Sequence, residues 1–416
     1  MEIPLVMIKK IIFLLVALSF NSVYAQSSRC STDEFLAAKF ENNQEMKLKY
    51  EKTIHNIRAI ANNKHAHKVL SDEEQDVLTI PVVFHVVYRS FIQNIPDERI
   101  HEQMDILNAD YAGLNSDIGS VPDDFTEFVG SSRIRFELAS VDPLGNSTTG
   151  INRYETDSTV FGLSDDGIKH SELGGADAWE SDSYLNIWVG RIENGILGYA
   201  TPPNSASSGE DGVVIGYKYV GLSSSSSYDL GRTATHEVGH YLGLTHIWGY
   251  GASCTSDDGI SDTPTQLEAH YANPGHPSLS CGSADMFMNY MDYVEDVDMF
   301  FFTSEQMDNM EIALEQYREG LLVSGGLSIE EELTEQDFQV FPVPVNKGAE
   351  FFILVPESAN IHRIELVDIL GRVQLFNKVD QNSKELSVHV DGISTGVYLL
   401  KLSGENYSFN KRIVIR

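Results

Sequence analysis

Two structural classes in succession are predicted by this sequence: a mixed α/β (α+β) unit, then an all-β sandwich. Three observations carry the prediction. Residues 79–88, TIPVVFHVVY, form an apolar β-branched run typical of a buried strand. Downstream, segments with helical spacing are interleaved with short alternating strands, the order of a mixed layer architecture. Beyond Phe338 only short alternating runs remain, separated by turns such as those at Gly371 and Asp391-Gly392.

Taken in order, the first 25 residues read as an address. Lys9 and Lys10 form a positive n-region, 11–20 a short apolar run, and Val23-Tyr24-Ala25 supplies small residues for cleavage near Ala25-Gln26. The run is about half the ~20 residues a membrane span needs, and no other stretch is long enough, so no transmembrane anchor is expected. Export allows a disulfide to persist. Residues 26–75 are polar, helical in pattern and free of Gly and Pro. A helix follows with Ile100, Met104, Leu107 and Tyr111 on one stripe and Asp97 as its cap. Strands come next at 134–138, 185–189 and 213–215. A polar loop at 223–227 leads into a helix from near Asp229. A loop rich in Asp, Gly and Pro covers 249–282, and a second helix 304–321. Ser324-Gly325-Gly326 and the acidic Glu330-Glu331-Glu332 read as a linker. The expected parts are a signal peptide (1–25), a prosegment (26–77), a catalytic domain (78–322), a linker (323–336) and a terminal domain (337–416).

Composition narrows the function. The chain has 416 residues, 61 acidic against 29 basic, a formal net charge of −32. Such a balance disfavours nucleic acid and anionic membranes and favours solubility and hard cations. Three cysteines exclude a disulfide-framework miniprotein and leave room for one bridge and a spare thiol.

The decisive segment is His236-Glu237-Val238-Gly239-His240-Tyr241-Leu242-Gly243-Leu244-Thr245-His246. Histidines four apart share one helical face and can ligate one zinc ion. Gly243 permits a left-handed exit from the helix, after which His246 supplies a third ligand. Three protein ligands leave a position for water, the mark of a catalytic rather than a closed structural site. Glu237 points at that water and takes its proton as it attacks a carbonyl. Chance occurrence of the extended motif is on the order of one in 10⁵ by residue frequencies.

This motif resembles that of the metzincin metallopeptidases. Their second element, a Met-containing turn, is matched by Asn289-Tyr290-Met291-Asp292-Tyr293. The resemblance implies that Met291 forms an apolar floor beneath the zinc and that Tyr293 donates to the developing oxyanion. Within metzincins the chain is similar to the pappalysin family, in its small bacterial, ulilysin-like branch. The carrying residues are Ile80-Pro81-Val82-Val83-Phe84-His85-Val86-Val87, Leu185-Asn186-Ile187-Trp188-Val189, Leu197-Gly198-Tyr199-Ala200, Asp262-Thr263-Pro264 and the Met-turn. The implied fold is a mixed five-stranded sheet above a zinc cleft, with a lower subdomain after Gly243. Substrate is expected along an edge strand at 195–201, with Gly198, Tyr199 and Ala200 binding it by strand addition. The same likeness implies a Cys254–Cys281 bridge, and calcium at Asp257, Asp258 and Asp262, a segment that reads equally as a solvated acidic loop. A departure is the absence of a cysteine shortly after the Met-turn, where 294–299 stand instead. Cys30, in Arg29-Cys30-Ser31, resembles the prosegment cysteine that keeps ulilysin-like enzymes latent, since a thiolate is a better zinc ligand than water.

The terminal domain resembles the C-terminal sorting domain of type IX secretion in Gram-negative bacteria. The matching residues are Phe338-Gln339-Val340-Phe341-Pro342-Val343-Pro344-Val345, Val367-Asp368-Ile369-Leu370-Gly371-Arg372, Gly396-Val397-Tyr398-Leu399-Leu400-Lys401-Leu402 and Lys411-Arg412-Ile413-Val414. Val343 stands where Asn is common. The expected protein is a secreted zinc endopeptidase acting on proteins or peptides, made as a latent zymogen and delivered through the periplasm by the type IX machinery. The alternatives are an adhesion protein on a decayed peptidase fold, opposed by the intact Glu237 and histidines, and a non-peptidase zinc hydrolase, opposed by the edge strand and Met-turn.

Overall fold

The buried run at 79–88 becomes β1 (Leu78–Tyr88), the strand around which the first unit is built. The computed structural model describes residues 29–41, 43–67, 76–224, 227–325, 338–354, 363–368, 372–378, 385–403 and 408–416. The signal peptide, the acidic linker and the turn at Gly371 lie outside them. The chain divides into two compact units, Met1–Gly325 and Gly326–Arg416.

Ahead of β1 come α1 (Thr32–Glu41) and α2 (Gln44–His67). After it follow α3 (Asp97–Tyr111), β2 (Ile134–Leu138), β3 (Ile151–Glu155), β4 (Leu185–Gly190), β5 (Gly198–Ala200), β6 (Val213–Gly216) and α4 (Arg232–Tyr241). A two-stranded hairpin, β7 (Leu279–Ser280) and β8 (Ser283–Ala284), precedes α5 (Ser304–Tyr317) and α6 (Glu319–Gly325). The sheet has six strands rather than the expected five: the path β2-β1-β4-β6-β5, and β3, which also pairs with β1. Room for both β2 and β3 exists because β1 is 11 residues long. β2 takes its first half and β3 its second. All pairs in this sheet are parallel except β5–β6, which leaves β5 as an antiparallel edge.

Both faces of β1 are covered, which explains its unbroken apolar sequence. Ile80, Val82, Phe84 and Val86 pack with Ile100, Met104 and Leu107 of α3 and Ala234 and Val238 of α4. On the other face Val87 joins Trp188, Tyr199 and Val214, against Phe35, Leu36 and Phe40 of α1. His85 lies on that face too, fully buried, stacked on Trp188 and bonded through Nε2 to Asn186 Oδ1 at 2.9 Å.

Three local expectations are corrected. Asp97 is the first helical residue rather than the cap; Pro96 holds the cap position and makes no side-chain bond. The Asp97 carboxylate is taken instead by Arg153 of β3. α4 begins at Arg232, because Gly231 sits at φ 76° and the cap comes from afar: Asp296 Oδ2 accepts from Leu230 N and Arg232 N. The helix at 304–321 breaks at Arg318, whose guanidinium is drawn into bonds with Tyr241 O, Thr201 O and Asp211.

The second unit is all-β: β9 (Gln339–Phe341), β10 (Glu350–Leu354), β11 (Arg363–Asp368), β12 (Val373–Lys378), β13 (Glu385–His389), β14 (Gly396–Ser403) and β15 (Ser408–Ile415). It forms antiparallel sheets of order β13-β10-β9 and β12-β11-β14-β15 around its own core, which includes Phe351, Leu366, Leu400 and Ile413. No described helix is long and apolar enough to cross a membrane.

Candidate metal centre and cleft

α4 carries His236 and His240 one turn apart, and its end is built to return the chain. Gly243, at φ 87°, closes a Schellman turn in which Leu244 N donates to Gly239 O and Gly243 N to His240 O, both at 2.9 Å. The reversal brings in His246. The Nε2 atoms converge, with His240 Nε2 3.1 Å from both His236 Nε2 and His246 Nε2. Each Nδ1 is engaged elsewhere: His236 with Tyr290 O (2.6 Å), His240 with Leu244 O (2.9 Å) and His246 with Asp33 Oδ2 (3.0 Å). Nδ1–H donation leaves three lone pairs facing one point. Tetrahedral zinc with nitrogen ligands needs edges of about 3.3 Å, close to this spacing. Burial lowers the pKa of His236 and His240, so both are held neutral, as ligands must be.

The fourth corner belongs to Cys30, whose Sγ lies with the three imidazoles in one buried group spanning 4.8 Å. Burial pushes this thiol well above its ordinary pKa and the Glu237 carboxylate adds to the effect. A thiolate there therefore requires a cation, and the donor set fits zinc. Among the described residues this is the only group of three or more such side chains placed to hold a metal.

Met291 lies under α4, fully buried; a Cβ on Gly239 would sit 2.7 Å from its Sδ, so the close approach needs glycine. Asn289 shapes the turn by accepting from Met291 N through Oδ1. Tyr293 packs edge-on against His246 at 4.8 Å, and its hydroxyl donates to the Cys30 carbonyl at 3.2 Å. Glu237 is buried beside the edge strand. Its desolvated carboxyl is pushed up to about 8, although Cys30 and Thr32 hydrogen bonds pull the other way.

The cleft is filled by the chain's own N-terminal segment. Leu197 N donates to Arg29 O and Ser31 N to Gly198 O, so Cys30 pairs with Gly198 in parallel register. Ala200 N donates to the Thr32 hydroxyl. Gly198 and Ala200 thus lie at the site. The Tyr199 side chain does not; it turns to the far face of the sheet, against Phe35 and Asp166. Arg29 is buried, pairs with Asp296 at 2.8 Å, donates to Val294 O and covers the Tyr228 ring. Sequence reasoning missed Arg29, Thr32, Asp33 and Asp296 as site residues. Asp296 stood in the stretch marked only for lacking a cysteine.

Below the cleft, Cys254 and Cys281 are joined. The three aspartates do not converge. Asp257 Oδ1 accepts from Gly259 N, Asp258 Oδ1 from Thr263 and Ile260 N, and Asp262 from Thr303 and Glu305 N at the start of α5. Their bonds close loop turns and a helix end rather than one cation cage.

Comparison with known proteins bears on the same residues. The family model described as pregnancy-associated plasma protein-A, a peptidase family, matches residues 169–315, and that of a secretion system C-terminal sorting domain matches 339–416. An extracellular metalloprotease of Arthroderma benhamiae is 30% identical over 252 residues, 58% of this chain and 74% of its own. Mature mirolysin of Tannerella forsythia, solved with a cleaved peptide, is 41% identical at TM-score 0.59, covering 61% of this chain and 99% of that one. A promirolysin mutant of the same organism is 36% identical at TM-score 0.64, covering 72% and 98%.

Proposed function

From the premise that the chain belongs to the pappalysin family of zinc metallopeptidases, and is a secreted endopeptidase made as a zymogen, we propose that it cleaves proteins next to a basic residue. One observation carries the substrate class. Arg29, the neighbour of the residue seated at the metal, is 2% exposed and ends on the buried Asp296 carboxylate. A side chain that the prosegment buries beside the scissile position stands in for the one a substrate places there. Desolvated Asp296 selects a cation and rejects an anion.

His236, His240 and His246 would hold the metal. Zinc bound there would supply a Lewis acid that polarises the substrate carbonyl and acidifies the attacking water. Glu237 accepts the proton of the attacking water on Oε2, the oxygen that Thr32 covers in the precursor. It then delivers that proton to the leaving amine. The Tyr293 hydroxyl, held protonated by burial, donates to the substrate carbonyl oxygen, as it does to the Cys30 carbonyl in the precursor. Substrate backbone replaces Arg29–Ser31 along β5. Cys30 and Thr32 enforce latency, and the type IX machinery reads the terminal unit. Calcium forms no part of this reading.

The test is cleavage profiling of a peptide library by the mature protein, with and without a chelator. Chelator-sensitive cuts concentrated beside Arg and Lys are expected. Cuts indifferent to charge would remove the role of Asp296.

A further inference from the structure

Two of the three metal-binding histidines are oriented from within the catalytic unit, and the third is not. Tyr290 O and Leu244 O are backbone acceptors that remain whether or not the prosegment is bound. His246 Nδ1 instead meets Asp33 Oδ2, in the first turn of α1, 213 residues away in sequence. Trp248 stacks on the same imidazole at 4.4 Å and Tyr293 closes its edge, so packing holds the ring plane while Asp33 fixes its tautomer. The Asp33 side chain is 40% exposed.

We propose that Asp33 is a positioning residue that couples zinc retention to latency, so that the precursor binds zinc more tightly than the mature enzyme. This rests on the reading of the histidines as a zinc site. A carboxylate on Nδ1–H fixes the tautomer and the orientation of a ligating ring, and loss of such a partner typically lowers metal affinity 10–100-fold. Coupling is reciprocal: whatever the prosegment adds to zinc affinity, zinc adds to prosegment affinity. Departure of α1 therefore does two things at once. It opens the cleft and loosens the third ligand.

The test uses the full-length precursor carrying Glu237→Ala to prevent cleavage, with zinc affinity read by competition against a chelating indicator. Asp33→Asn is expected to weaken zinc binding at least 10-fold. The loss should persist beside Cys30→Ser, which separates it from the thiol. Asp33→Glu should recover part of it, and Glu34→Gln, exposed on the same turn, should change nothing. The His246 imidazole N–H resonance should move only in the Asp33 variants, a shift that a merely structural helix contact would not produce. In the reverse direction, zinc should protect the prosegment from an added protease in the parent and much less in Asp33→Asn. Unchanged zinc affinity in Asp33→Asn beside Cys30→Ser overturns the coupling alone. Failure of the parent precursor to bind zinc overturns the coupling together with the metal reading beneath it.

Discussion

The Thr32 hydroxyl donates to Glu237 Oε2 at 3.0 Å while accepting from Ala200 N at 2.9 Å. One small side chain thus occupies the proton-accepting oxygen and a donor of the substrate-binding strand. Latency should therefore not rest on Cys30 alone. A buried hydrogen bond contributes about 0.5–1.5 kcal/mol, roughly 2–10-fold in prosegment affinity. Thr32→Val keeps the branched shape and loses both bonds. Its precursor should lose the prosegment faster in a gel time course, and Thr32→Val with Cys30→Ser faster than either single change. A double variant as slow as the parent would refute this.

Glu237→Ala should lower kcat/KM by about 10²–10⁴-fold, the range for a positioned general base. Zinc content, measured by atomic absorption, should stay near one per chain because the histidines are untouched. Activity close to that of the parent would sink the proton-transfer role.

In the mature enzyme, Asp296→Asn should reduce kcat/KM for peptides with Arg beside the cut by about 10²-fold and leave neutral peptides nearly unchanged. The amide keeps an acceptor for the start of α4, so folding should survive. Equal losses on both peptide classes would point to damage to α4 instead.

His85 offers a pH test distant from the cleft. Burial lowers its pKa from the ordinary 6.5 to about 4. The unfolded chain therefore takes up the proton first, so stability from this site is complete above 6.5 and is lost as pH falls towards 4. His85→Gln keeps an N–H for Asn186 and cannot titrate. The gap in unfolding free energy between parent and variant should shift by about 2 kcal/mol in the variant's favour from pH 7 to pH 5. A gap independent of pH would show that His85 is not buried neutral.

Removing 337–416 should leave peptide cleavage intact, because the metal-binding histidines, Glu237, the Met-turn and Asp296 all precede it. In the native host the truncated protein should collect in the periplasm. Normal levels in the medium, by immunoblot, would contradict its assignment as an export signal.

What the sequence revealed follows the distance over which each feature is encoded. The three histidines fall within eleven residues, and the Met-turn within five, so spacing alone exposes them. β1 was legible because both its faces are apolar. Arg29 and Asp296 stand 267 residues apart, and Thr32 and Glu237 205 apart, so neither pair leaves a local trace. The start of α4 was misplaced for the same reason: its cap is Asp296, 64 residues beyond Arg232. Asp97 had the residue type of a cap but stands one position inside the helix.

Arg58 of α2 reaches the Gly243 carbonyl, Asn309 and the Asp258 carbonyl, so the prosegment grips the rest of its unit at a second place, away from Cys30. While the chain is intact, both grips act at the high effective concentration of a tether. A cut between α2 and β1 leaves both grips in place, yet it turns an intramolecular plug into a separate molecule. Dilution outside the cell then becomes the activating force. Onset of activity should therefore depend on how crowded the secreting population is, with dense cultures holding the cut precursor silent longer than sparse ones.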